Sequence, residues 1–230
     1  MPFHQLKFIG RNEAYGVWRI DAEGEKTFLS YLPSGSFWQR ELDKISHHNK
    51  RLEYLAARLA CMLTCQELQM PFTFIDKYKD EGGVNEGRNG RPRLDARHII
   101  SLSHSYPFAG AIVSKTGNAV GIDVQLPSPK LLAVQKKYLH EKEILDAKGD
   151  INKLCIYWCA KEAIFKMMKK PLKSLLDIQI MPFYAQKKGI VWAYVARDQI
   201  YYPCIYRMES LYTLAVCTDT LLDDALFRFS

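Results

Sequence analysis

The spacing of apolar and polar positions changes several times along the chain, and each change marks an element. Alternating runs at 5–9 and 15–20 predict two strands, and Pro33, Ser34 and Gly35 then break the pattern. A helix is predicted over 36–45 and a second over 46–68, where Leu52, Leu55, Leu59, Met62 and Leu63 form one apolar stripe that Pro71 ends. Residues 76–93 are glycine-rich, charged and nearly devoid of apolar side chains, which predicts an exposed loop delivering Arg88, Arg91 and Arg93 to the following strand.

Three apolar runs at 98–104, 108–114 and 119–124, separated by short turns, predict an antiparallel meander. Its alternation sets His104 at one strand end and Asp123 near another, close enough across a sheet to share a ligand. Pro127 and Pro129 precede a helix predicted over 131–148, and another is predicted over 151–169, stopped by Pro171. Strands near 175–181, 189–196, 200–207 and 212–218 complete an α+β class.

A chain of 230 residues buries a substantial core, as one large domain or two small halves. Its 48% hydrophobic and 25% charged residues are ordinary globular composition. It has no apolar run near the roughly 18 residues of a membrane span and no signal-peptide pattern, so no membrane partner and a cytoplasmic location are expected. Cys61 and Cys65, and Cys155 and Cys159, are spaced four apart within helical patterns, which points to reduced core thiols and not to a zinc site. The net charge of +7 is dispersed, without a nucleic-acid recognition signature, so no nucleic acid is expected; a basic face also steers other anions toward it.

Three stretches carry chemistry: Ser101-Leu102-Ser103-His104-Ser105, Gly121-Ile122-Asp123-Val124-Gln125, and Trp158-Cys159-Ala160-Lys161-Glu162-Ala163-Ile164-Phe165-Lys166. A histidine and a carboxylate at strand ends, with a Glu/Lys pair on a helix, make a set suited to gripping a pyrophosphate through a divalent metal. Trp158, Glu162, Lys166 and Lys169 share one helix face. Each piece also has a plainer reading: Glu162 and Lys166 as a surface ion pair, Asp123 as a cap or turn residue, His104 as a strand-end histidine, and Lys50, Arg51 and Arg58 as solvated helix charges.

The order and wording of these stretches resemble the 4′-phosphopantetheinyl transferases, in particular the large monomeric surfactin/enterobactin type. Gly90-Arg91-Pro92 and the segment 50–58 lie where that family carries similar segments, so the resemblance runs from about Lys50 to Lys166. It implies a pseudo-twofold pair of similar α+β subdomains, each a small antiparallel sheet packed on helices, here 1–115 and 116–230, with the active site in the cleft between them. It further implies Asp123 and Glu162 as Mg²⁺ ligands shared with coenzyme A phosphate oxygens. Gln125 stands where many members carry a second acid, and its amide or a water would fill that place with weaker metal affinity.

By the same resemblance His104, helped by Ser103, hydrogen-bonds the coenzyme A pyrophosphate, and Lys166 stabilises charge on it. Lys50, Arg51, Arg58 and Arg91 are the expected contacts for the nucleotide end. The segment 137–143 loosely resembles an aromatic-rich family segment ending in Glu, which makes Glu143 a rival to Glu162 as general base. The implied reaction moves 4′-phosphopantetheine from coenzyme A to a serine of an acidic apo acyl or peptidyl carrier protein, releasing adenosine 3′,5′-bisphosphate, in a monomeric enzyme. The alternative is a non-catalytic carrier-protein or coenzyme A binding module on the same fold, with Gln125 as a first sign of decay.

Overall fold

The computed structural model describes residues 3–21, 24–34, 36–72, 99–168 and 170–219. Strands β1 (Phe3–Phe8) and β2 (Glu13–Arg19) lead into helices α1 (Glu25–Tyr31), α2 (Ser36–Leu42) and α3 (His48–Glu67), followed by β3 (Ile99–Ser105) and β4 (Phe108–Ser114). These four strands form one antiparallel sheet in the order β1-β2-β4-β3. Then come β5 (Val120–Gln125), α4 (Lys130–Val134), a 3-10 turn at Gln135–Lys137, α5 (Glu141–Ala147) and α6 (Ile151–Met167). Another 3-10 turn (Leu175–Asp177), β6 (Ile178–Ile180), β7 (Lys188–Val195), β8 (Ile200–Met208) and β9 (Thr213–Thr218) complete a second antiparallel sheet ordered β5-β9-β8-β7-β6.

Strand alternation sorts the side chains into three cores. Ala14 and Trp18 of β2 and Ala109, Ala111 and Val113 of β4 meet the Leu52, Leu55 and Leu59 stripe of α3. On the opposite face, Tyr15, Val17, Phe108 and Ile112 pack against Ile122, Val124, Leu214 and Val216 of the second sheet. Ala215 and Cys217 of β9 and Cys204 of β8 turn the other way, onto Leu154, Ala160 and Ile164 of α6. The order is therefore helix, sheet, sheet, helix, each sheet holding an apolar face on either side. All six cysteines are buried and free, the four of the helical pairs in α3 and α6 and the other two in β8 and β9. Among the described residues no helix is long and apolar enough to cross a membrane.

Two expectations need correction, and one helix was not foreseen. The meander does not form: β5 leaves the sheet of β3 and β4 and pairs with β9 instead. Both faces of β5 are buried, one against the first sheet and one under α6, a demand that only the second sheet meets. The helix expected over 131–148 is broken into α4, a 3-10 turn and α5, because Tyr138 and Leu139 turn into the core of α6 and Glu143 accepts the freed His140 N–H at 2.7 Å. Helix α1 is absent from the expectation; it is seven residues long and buries only Phe28, too little for a periodic signal.

Candidate active site

The site begins with a close approach. Helix α6 presses on β5 so tightly at Gly121 that a Cβ there would stand 1.9 Å from the carbonyl oxygen of Ala163. Asp123 follows two residues on, on the same strand face, while Glu162 and Lys166 flank Ala163 on the helix. Lys166 Nζ donates to Asp123 Oδ1 at 2.7 Å and to the Ile122 carbonyl at 3.1 Å.

The neighbouring sheet contributes the next partner. Ser103 Oγ donates to Asp123 Oδ1 at 2.7 Å and accepts the Val124 N–H at 3.2 Å. Ser101 and Ser105 accept the N–H groups of Ile122 and Leu126 at 3.3 and 3.4 Å. The partners advance together along both strands, so β3 and β5 run parallel, joined by serine hydroxyls in place of main-chain hydrogen bonds. The alternating serines thus become a seam between the sheets.

Asp123 is only 5% exposed, and its Oδ2 is buried without a hydrogen-bond partner. Such an oxygen is costly unless a ligand meets it. The Glu162 carboxyl is raised above its ordinary range, first by burial and then by the negative charge of Asp123, against partial relief from Lys166. Two neighbouring acidic side chains, Glu162 raised by burial and by the Asp123 charge and Asp123 with an unmet oxygen, fit a hard divalent cation whose shell is completed by phosphate and water. Among the described residues no group of three or more His, Cys, Asp or Glu forms a protein-only cage. The Gln125 amide donates to the Leu126 carbonyl at 3.2 Å.

The cationic candidates lie along α3. His104 sits on the β3 face opposite Ser103 and meets Glu53, with Nδ1 3.3 Å from Glu53 Oε2. Lys50 Nζ stands 2.6 Å from the same oxygen. Arg58 is buried, donates to the Tyr54 carbonyl at 3.1 Å and stacks on the Tyr54 ring. Arg51 is engaged elsewhere: it forks onto Glu25 at 2.7 and 2.8 Å and donates to the Leu42 carbonyl at 2.9 Å, pinning α1 to α3. Arg91 and Lys169 lie outside the described residues.

Glu143 belongs to a different assembly. Its Oε2 accepts the His140 N–H and the Lys161 ammonium, both at 2.7 Å, and its Oε1 accepts the Ile180 N–H at 2.7 Å. Lys161 is fully buried and also donates to the Tyr138 carbonyl at 2.8 Å; burial pulls its ammonium below the ordinary range, against the support of Glu143. This pair ties α5, α6 and β6 together.

Two residues that sequence reasoning left without a role emerge here. Glu53 anchors His104, and the signal was a lone carboxylate amid Leu52, Leu55, Ala56 and Ala57, all buried on one helix. Lys161 is a charge in the wholly buried part of α6, hidden by its place beside Glu162 in the third stretch.

The layered α+β fold thus gathers Ser103, Asp123 and Lys166 at one seam, with the Glu162 carboxyl near enough to feel the Asp123 charge and His104 on the other face of β3. Residues 119–217, from the start of β5 through most of β9, match the family model of the 4′-phosphopantetheinyl transferase superfamily. That segment contains Asp123, Glu162 and Lys166, and the chain's similarity to the superfamily, read from its motifs, is borne out at that level; the two helix-packed antiparallel sheets are consistent with its fold. No curated protein matches the chain.

Proposed function

We propose that this chain transfers the 4′-phosphopantetheine group from coenzyme A to a serine hydroxyl of an apo acyl or peptidyl carrier protein, as a cytoplasmic, monomeric enzyme of the large surfactin/enterobactin type. The observation that carries the proposal is the unmet, buried Asp123 Oδ2 beside the raised Glu162 carboxyl, with Lys166 and Ser103 already holding the other Asp123 oxygen. Residues 1–115 would contact the nucleotide and residues 116–230 would supply the metal ligands, with the substrate lying between them. The net charge of +7 suits both polyanionic coenzyme A and an acidic carrier.

Asp123 and Glu162 would hold Mg²⁺, with Gln125 or a water in the third place, and the ion supplies positive charge that polarises the pyrophosphate. Ser103 and Lys166 fix the Asp123 carboxylate through Oδ1, so little reorganisation is needed on binding. His104 and Lys166 hold the phosphate oxygens on which charge grows as the bridging bond breaks. Lys50 and Arg58, joined by Arg91, grip the nucleotide end; Arg51 instead holds α1 in place.

In the transfer step the carrier's serine oxygen forms a bond to the pantetheine-side phosphorus. The bridging phosphorus–oxygen bond breaks and its electron pair leaves on adenosine 3′,5′-bisphosphate. The serine proton passes to Glu162, directly or through a water. Glu143, with both oxygens occupied in the buried pair, has a structural role.

The test is to incubate the chain with a fluorescent coenzyme A conjugate, apo acyl and apo peptidyl carriers and Mg²⁺, with and without a chelator. Label on a carrier's serine only when metal is present is the expected result. Bound coenzyme A without any labelled carrier would instead favour the non-catalytic module.

A further inference from the structure

Glu53 stands in the second turn of α3 with only 2% of its surface exposed, among leucines and alanines. A carboxylate there is destabilising unless its partners repay the lost hydration. Its Oε1 accepts the Tyr106 N–H at 2.7 Å, which fixes the turn between β3 and β4. Its Oε2 faces Lys50 Nζ at 2.6 Å and His104 Nδ1 at 3.3 Å. One carboxylate therefore holds the turn, a lysine and the histidine at once.

We infer that Glu53 is the positioning residue of the pyrophosphate grip, orienting the His104 ring by its Nδ1 so that Nε2 is presented to a phosphate oxygen; this rests on the transferase reading above. The His104 side chain is 42% exposed, so one edge is anchored inward while the other remains accessible. The contact is a close approach of ring to carboxylate and not an aligned hydrogen bond, Glu53 Oε2 having no hydrogen-bond partner among the described residues, yet a ring whose Nδ1 edge is packed against a carboxylate keeps Nε2 turned outward toward a phosphate oxygen. Without that anchor, the ring and Lys50 would have no common partner.

The inference extends the site across α3. Lys50 and Arg58 are proposed to reach the nucleotide end of coenzyme A, and Glu53 lies between them in sequence while touching the residue proposed for the pyrophosphate. Its loss is therefore expected to weaken coenzyme A binding through His104, whereas the carrier-binding step is left alone.

The experiment uses Glu53→Gln and Glu53→Asp, each with His104 present and with His104→Ala, and measures coenzyme A binding by calorimetry, the steady-state constants of transfer and the melting temperature. Glu53→Gln should weaken coenzyme A binding about tenfold or more, the scale on which losing a residue that orients a histidine is felt. In the His104→Ala background the same change should weaken binding several-fold less than it does with His104 present, what remains passing through Lys50. Glu53→Asp should recover part of the loss.

An equal loss in both backgrounds, or none in either, overturns the inference while leaving the transferase reading intact. A wild-type chain that does not bind coenzyme A overturns the reading and this inference with it. A measurement on the wild-type chain covers the case in which the variants do not fold: long-range nitrogen–proton correlation should find a proton on His104 Nδ1, and a ring protonated on Nε2 alone would overturn the inference.

Discussion

Ser103 donates its hydroxyl hydrogen to Asp123 Oδ1 at 2.7 Å, across the line where the edge of one sheet meets the edge of the other. Two stretches that stand apart in the chain are thereby one object. Ser101 and Ser105 continue the contact on either side, so the period-two serines that resemble a binding motif also bind the sheets together. The metal-ligand candidate Asp123 is held by the first sheet and by α6 simultaneously.

Asp123→Ala and Glu162→Ala should each lower the transfer rate by at least about a hundredfold, the scale of losing one electrostatic stabiliser of developing charge. Steady-state assays on a carrier protein check this, and near-normal turnover in either variant would remove that residue from the site.

Glu162 also makes the metal-free chain pH-sensitive. Because its native pKa is raised, its contribution to stability is complete below the ordinary value of 4.5 and is lost as pH rises through the native value. Glu162→Gln removes that loss, so at neutral pH the metal-free variant should melt above wild type, with the gap closing below pH 4.5. Added Mg²⁺ should raise only the wild type. A variant that melts lower at neutral pH would show that Glu162 is not held at a cost.

Gly121→Ala places a methyl group against the Ala163 carbonyl, where backbone must move. The expected cost is about 3 kcal/mol or more, at the upper end for overpacked sites, together with loss of transfer as α6 carries Glu162 and Lys166 away from Asp123. Urea unfolding and transfer assays report the two effects, and a variant with wild-type values in both would contradict the tight helix–strand contact.

Lys161→Met should destabilise by about 3 to 5 kcal/mol, because it leaves Glu143 charged and buried without its partner. Glu143→Gln should likewise lower the melting temperature while its folded fraction keeps transferring. A fall of about a hundredfold in rate at an unchanged melting temperature would return Glu143 to the role of general base.

Arg58→Ala should raise the KM for coenzyme A more than it changes kcat, the pattern of a contact made equally in the ground and transition states. The opposite pattern would place Arg58 in the chemical step.

Periodicity was strong where burial was one-sided or long. The α3 stripe repeats often enough to define that helix and α6 is legible as a long apolar run ended by Pro171, whereas of the long strands of the second sheet β7 alternates and β9 is buried throughout. β5 misled because all of Val120–Val124 is buried, so its pattern names no preferred neighbour; the choice of β9 over β4 depends on where α6 lies, which is a tertiary fact. The site's carboxylates were legible as motif residues, whereas their mutual effect was not. Glu53 escaped notice because its partners, His104 and the Tyr106 N–H, come from a strand about fifty residues away. Arg51 and Glu143 attracted notice as charges near motifs, whereas their ion pairs with Glu25 and Lys161 reach between helices and leave no trace in local spacing.

The most direct test is the intact mass of an apo acyl carrier protein and an apo peptidyl carrier protein after incubation with this chain, coenzyme A and Mg²⁺, beside a chelator control and Glu162→Ala. The account predicts a gain of one phosphopantetheinyl group on the carrier serine with wild type and metal, none with chelator, and a gain at least about a hundredfold slower with Glu162→Ala. Unchanged carrier masses with coenzyme A bound, or a gain that persists with chelator or proceeds at the wild-type rate in Glu162→Ala, would contradict it.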